Sequence, residues 1–135
     1  MFLKKNCIEK NGISTFEIKD SQTKKITSFY KVSPFPDYKS GDNKSTILEK
    51  GDKNLLASKF KKFIGFNKNV LEVGCGTGQL INYFAIGTNN RLIGLDPTIE
   101  SIELAAKFSN QNNINNIKYV NADIFDDVLK DEFFD

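Results

Sequence analysis

Residues 69–80, Asn-Val-Leu-Glu-Val-Gly-Cys-Gly-Thr-Gly-Gln-Leu, constrain this chain more than any other stretch. Val70, Leu71 and Val73 form an apolar run too short for a helix and suited to a strand buried on both faces. Gly74, Gly76 and Gly78 follow, and after them Leu80, Ile81, Phe84 and Ala85 recur at helical spacing. Strand, glycine turn and helix in this order make the ligand-facing corner of a doubly wound α/β sheet. The glycines let the backbone turn sharply and approach a ligand where a Cβ would clash, and the helix N-terminus presents free N–H groups there.

The spacing narrows the ligand. Nicotinamide and flavin sites favour Gly-x-Gly-x-x-Gly, whose helix N-terminus receives a pyrophosphate. Here the pattern is Gly-x-Gly-x-Gly, with Glu72 two residues before the first glycine. A carboxylate at that place repels phosphate and suits a cation. A tight turn without a ligand, and a nucleotide- or NAD-binding corner, stay open as alternatives on the residues alone.

Downstream, residues 91–95 read as the next buried strand and end at Asp96, about 20 residues after the glycines, where a doubly wound sheet places the carboxylate that receives ribose hydroxyls. Asp96-Pro97 also reads as a helix N-cap followed by proline at the first helical position. Ile99, Ile102, Ala105 and Ala106 form the apolar stripe of that helix, the asparagine-rich residues 110–116 end it, and residues 117–120 form a third strand.

Glu72-Val-Gly-Cys-Gly-Thr-Gly resembles the first motif of the class I S-adenosylmethionine-dependent methyltransferases. The resemblance covers residues 33–135 and implies a Rossmann-like, doubly wound parallel sheet, of which this chain would supply the first half in strand order 3-2-1. It implies that Glu72 serves the amino end of S-adenosyl-L-methionine while Gly74, Cys75, Gly76 and Gly78 lie against the cofactor. Asp96 would receive both ribose hydroxyls, Pro97 beside it would contact the cofactor, Asp123 would accept from the adenine amino group, and Ile124 would pack on the ring. The three acids are expected to face one hollow beside the glycines. The implied activity is methyl transfer to an unidentified acceptor, a small molecule being favoured; cofactor binding without transfer is the alternative. Cys75, near a helix N-terminus, is open to a lowered thiol pKa. No catalytic residue is named.

The rest of the chain is read around this unit. Residues 1–44 are an N-terminal extension and residues 45–135 the cofactor-binding domain, incomplete at its C-terminus. Two β-like runs flank Asn11-Gly12, a strong hairpin signal, so a small hairpin covering a core edge is expected. Pro34 and Pro36 hold a connector extended, and Phe35 and Tyr38 on it are expected to dock. The run Ser-Pro-Phe-Pro-Asp-Tyr resembles a segment near the cofactor entrance in one group of bacterial class I methyltransferases. Residues 46–64 are helical, with Leu55, Leu56, Phe60, Phe63 and Ile64 on one face packing across the sheet. Gly51-Asp52 is expected to split that helix, with Asp52 capping its second piece, and Gly65 to stop it. Residues 132–135 read as the opening of a fourth strand. If that strand is missing, residues 70–73 form an apolar sheet edge, and self-association is predicted.

Composition removes several classes. With 135 residues the chain suffices for one core and not for two. Neither a membrane span nor a signal peptide is supported, and two distant cysteines with no histidine make a zinc site improbable and a reducing cytoplasm the simplest home. Asp126, Asp127, Asp131 and Glu132 read as a solvated acidic loop rather than a metal site. Net charge is +2, yet residues 1–68 hold 15 Lys against 7 acids, which suits a solvated basic surface or an anionic acceptor. No aromatic interleaving supports nucleic-acid binding.

Overall fold

Asn11 and Gly12 both adopt positive φ, 53° and 77°, as a two-residue turn between twisted strands requires, and they join β1 (Ile8–Lys10) to β2 (Ile13–Thr15). The computed structural model describes residues 2–135. The hairpin does cover an edge, and it does so by joining the main sheet. β2 runs parallel to β5 (Ile117–Asn121), which pairs in parallel with β4 (Arg91–Asp96), and β4 with β3 (Asn69–Val73). The sheet order is β1-β2-β5-β4-β3, so the last three strands stand in the expected 3-2-1 order of a Rossmann-like sheet. Of the four strand pairs of this sheet among the described residues, β1–β2 is antiparallel and the other three are parallel.

The strand pattern decides which face each residue buries. Leu92 on β4, with Ile117 and Tyr119 on β5, packs against α4 (Gln79–Ala85) and α5 (Ile99–Gln111) through Ile81, Phe84, Ile102 and Ala105. Ile93, Leu95 and Val120 point to the opposite face, where Leu3 and Val128 cover them. The chain ends meet there: the Lys4 N–H donates to Val128 O and the Lys130 N–H to Phe2 O, each at 2.8 Å.

Three helices precede β3. α1 (Ser21–Val32) was not expected. Asp20 caps it, its carboxylate accepting from the Thr23 N–H at 2.7 Å, whereas the β-branched Thr23, Ile26, Thr27 and Val32 weaken its helical signal. α2 (Lys44–Lys53) and α3 (Leu55–Ile64) do divide the predicted long helix, but at Asn54 rather than at Gly51-Asp52. The Asn54 side chain accepts from the Ala57 N–H (3.0 Å), while Asp52 accepts from the Tyr83 hydroxyl (2.9 Å) and is not a cap. The Tyr83 ring occupies the space a Gly51 Cβ would need, which keeps that glycine inside α2. Gly65 stops α3 as expected.

α3 buries none of its residues: Leu55, Leu56, Phe60 and Phe63 are exposed beside the outer edge of β3. The expectation that this face packs across the sheet is therefore corrected for these four, while Ile64 is half-buried and packed against the core. Residues 132–135 form no strand, although the Asp135 N–H donates to Asn69 O (2.9 Å) and its carboxylate accepts from the Asn69 N–H (2.7 Å). Among the described residues, no helix is long and apolar enough to cross a membrane.

Candidate functional site

The carboxyl ends of β3, β4 and β5 set the site. Gly74 and Gly76 leave β3 with φ of 71° and 53°, a left-handed backbone that glycine adopts without strain. The Gly74 and Cys75 N–H groups donate to Leu95 O (2.7 and 3.2 Å), and the Gly76 N–H donates to Asp96 Oδ2 (2.9 Å). Asp96 Oδ1 accepts from the Thr98 N–H (2.8 Å). Asp96 thus makes an Asx turn, and the N-cap of α5 is Thr98, so the expected cap at Asp96 with Pro97 at the first helical position is corrected. Both Asp96 oxygens are positioned by backbone and retain acceptor capacity for a ligand.

A connector is latched onto this turn. The Thr77 N–H donates to Phe35 O (3.4 Å), the Thr77 hydroxyl to Pro36 O, the Tyr38 hydroxyl to Thr77 O (2.8 Å) and the Gln79 amide to Asp37 O (2.8 Å). Tyr38 stacks on Phe108 with centroids 4.5 Å apart, so the docking expected of Phe35 and Tyr38 is met by Tyr38 and corrected for Phe35, which is 71% exposed. A Cβ on Gly76 would stand 2.5 Å from Phe35 O, and only glycine admits the latch.

The latch divides the space above the strand ends into two adjoining hollows of about 330 and 420 Å³, within the roughly 300–1,000 Å³ of ligand clefts. Phe35, Gly74 and Gly76 line both. Glu72 and Cys75 line the first; Asp96, Pro97, Asp123 and Ile124 line the second. The three acids therefore do not face a single hollow, as expected, but two that share a glycine wall. Open space lies where a Gly74 Cβ would stand, leaving bare backbone at the junction.

Glu72 and Asp123, which line the first and second hollows, each carry one buried carboxylate oxygen without a hydrogen-bond partner, Glu72 Oε2 and Asp123 Oδ2. Asp123 Oδ1 accepts from the Phe125 N–H (3.0 Å). Buried acceptors are rarely left unpaired, and such a group points to a missing donor. Burial, and then the charge of Asp96, push the Glu72 carboxyl up to about 7.

Two of the expected site residues behave differently. Gly78 lines neither hollow: it packs against α5, where a Cβ would stand 2.7 Å from Ala105 Cβ. The Cys75 thiol is pushed up, not down, by its burial and by the neighbouring Asp96 and Glu72 charges. Lys50 and Tyr30, which line the first and second hollows, were missed. Tyr30 belongs to the unexpected α1, and Asp20 three residues before Thr23 was its one legible signal. Lys50 had none, being one lysine among many.

The fold is that of a Rossmann-like protein with two adjoining hollows at its strand ends. A family model described as a methyltransferase domain matches residues 64–135, just over half of the 135-residue chain, and the chain belongs to this methyltransferase-domain family. Among solved structures it is similar to the YcgJ protein of Bacillus subtilis, at 25% identity and a TM-score of 0.42 over 47% of this chain and 27% of that one. It is also similar to a SAM-dependent methyltransferase from Aquifex aeolicus (22% identity, TM-score 0.42, 57% of this chain and 45% of that one). A third is phosphoethanolamine N-methyltransferase 1 of Haemonchus contortus, in complex with phosphoethanolamine and S-adenosylhomocysteine (20%, TM-score 0.46, 73% and 20%). The chain spans less than half the length of each. No curated protein matches the sequence.

Proposed function

We propose that this chain binds S-adenosyl-L-methionine across the two hollows and supplies the cofactor half of a methyl transfer in the cytoplasm. The observation that carries the reading is that Glu72 and Asp123, each with one buried carboxylate oxygen lacking a partner, line two hollows that share Gly74 and Gly76. Residues 45–135 form the cofactor unit and residues 1–44 the extension that flanks it.

Each residue has a task that its surroundings support. Glu72 meets the cofactor's ammonium, Asp96 its ribose hydroxyls and Asp123 its adenine amino group, while Pro97 and Ile124 bracket the ring. Gly74 and Gly76 let the ligand lie on the backbone, with the Cys75 side chain beneath, and Gly78 holds the turn to α5. When bound, the cofactor supplies a methyl group activated on a sulfonium leaving group. The protein's contribution is then orientation, with Phe35 lining both hollows at the junction. The acceptor is a small molecule that reaches the methyl group at the junction of the two hollows, where Phe35, Gly74 and Gly76 stand.

Isothermal calorimetry with S-adenosylhomocysteine and with NAD tests the assignment. Heat with S-adenosylhomocysteine and none with NAD is expected; heat with NAD alone rejects it.

A further inference from the structure

Of the asparagines in this chain, Asn11 alone is followed by glycine. The pair stands exposed at the tip of the β1–β2 hairpin, on the side of the sheet's amino ends and away from the hollows. Open space lies where a Gly12 Cβ would stand, and the Gly12 N–H has no acceptor among the described residues. Asn67 and Asn113 share the left-handed backbone of Asn11, with φ of 58° and 54° against 53°. In both, the following N–H is engaged: that of Lys68 donates to Asn90 Oδ1 (2.8 Å) and that of Ile114 to Ser109 O (2.9 Å). Each of those nitrogens also has a side chain beside it, where Gly12 has none. An unhindered and unpaired backbone nitrogen therefore follows Asn11 and neither of the other two. β1 buries none of its three residues, so the hairpin frays at little cost and lets the Asn11 amide swing against that nitrogen.

We propose that Asn11 is a site of spontaneous modification, converting to an isoaspartyl residue through a cyclic imide formed with Gly12. Asparagine is among the thermolabile residues, and here its reaction partner is already free. The Gly12 nitrogen loses its proton to hydroxide and attacks Asn11 Cγ. A C–N bond forms there as the Cγ–Nδ2 bond breaks, and ammonia leaves with a proton taken from water. Water then opens the ring. Attack at Cγ gives aspartate; attack at the main-chain carbonyl gives isoaspartate, whose chain runs through Cβ and Cγ. Nothing is oxidised or reduced, and one amide is exchanged for a carboxylate.

The isoaspartyl product changes the fold locally. It adds one backbone carbon to a two-residue turn that pairs Lys10 with Ile13. β1 has no buried side chain to hold it once that register is lost, so it leaves the sheet. β2, still paired with β5, then becomes the edge.

The test ages the purified chain in mildly alkaline buffer and maps its peptides by mass spectrometry, with fragmentation that separates aspartyl from isoaspartyl residues. Isoaspartate should accumulate at Asn11 at least about tenfold faster than at Asn67 or Asn113, the rate factor of one hydrogen bond on the attacking nitrogen. Hydrogen exchange should then find the β1–β2 amides unprotected in the isoaspartyl chain. They should stay protected in Asn11→Asp, which carries the same charge on an ordinary backbone. Conversion of Asn11 no faster than of Asn67 and Asn113 overturns the proposal, as does an isoaspartyl chain that is as protected as Asn11→Asp. An Asn11→Asp chain as open as the isoaspartyl one overturns it too, because the charge and not the added carbon would then open the turn.

Discussion

A carboxyl that ionises near neutrality beside a site for a cation ties binding to pH. Glu72 is pushed up to about 7 from an ordinary value of 4.5, first by burial and then by Asp96. Between those values the folded chain holds a proton that the unfolded chain has released, so the ligand-free protein loses stability as pH rises through this window. Glu72→Gln removes that loss. Binding runs the opposite way, because the cofactor's ammonium needs the carboxylate form. Near pH 6 about a tenth of Glu72 is ionised and near pH 8 about nine tenths, so affinity for S-adenosylhomocysteine should rise about tenfold across that range. Calorimetry at the two pH values checks this. A flat profile in the wild type, or the same slope in Glu72→Gln, would show that Glu72 does not meet the ligand's charge.

At the scale of elements, α2 and α4 meet through a missing side chain. Replacing a glycine inside a helix by alanine ordinarily stabilises by about 1 kcal/mol. At Gly51 the sign reverses, because the new Cβ would enter the buried Tyr83 ring, which Asp52 holds by its hydroxyl. Gly51→Ala should cost about 1–3 kcal/mol in urea unfolding, the usual range for overpacking; a more stable variant would show that the helices do not meet there. The same contact explains what the sequence left illegible. Gly51 looked like a helix break because the Tyr83 ring that occupies its Cβ position arrives from a distant part of the chain. Asn11-Gly12, whose turn is decided by its own backbone, was legible, as were the three parallel strands. α1 was not, since its β-branched residues hide a helix started by Asp20. The acids were legible from spacing to the strand ends, whereas the division of their hollow depends on the distant latch of residues 35–38 on Thr77, and the spacing around the glycines carries no trace of it.

For the molecule as a whole, the sheet closes at one end and stays open at the other. The β1–β2 hairpin covers β5, and the outermost strand on that side, β1, is short and exposed. At the opposite end β3 pairs with β4 on one side, and on the other its backbone, among the described residues, hydrogen-bonds Asp135 alone, at Asn69. The rest of that edge adjoins two apolar hollows of about 460 and 550 Å³, lined by Phe60, Ile64, Val70 and Leu71. Leu56, Phe60, Phe63 and Phe66 stand 76%, 52%, 84% and 62% exposed beside it. An open strand next to an apolar helix face invites pairing with another strand. The 135-residue chain should therefore self-associate, a second copy setting its own β3 and α3 against the first. Sedimentation velocity over about 1–100 µM should show a concentration-dependent rise in mass, the range in which modest apolar interfaces populate dimers. Phe63→Lys places a charge in the face without touching a buried residue, since α3 buries none, and should shift the chain toward monomer with its melting temperature unchanged. A wild-type chain that stays monomeric throughout would mean that Asp135 and the lysines around α3 already block the edge.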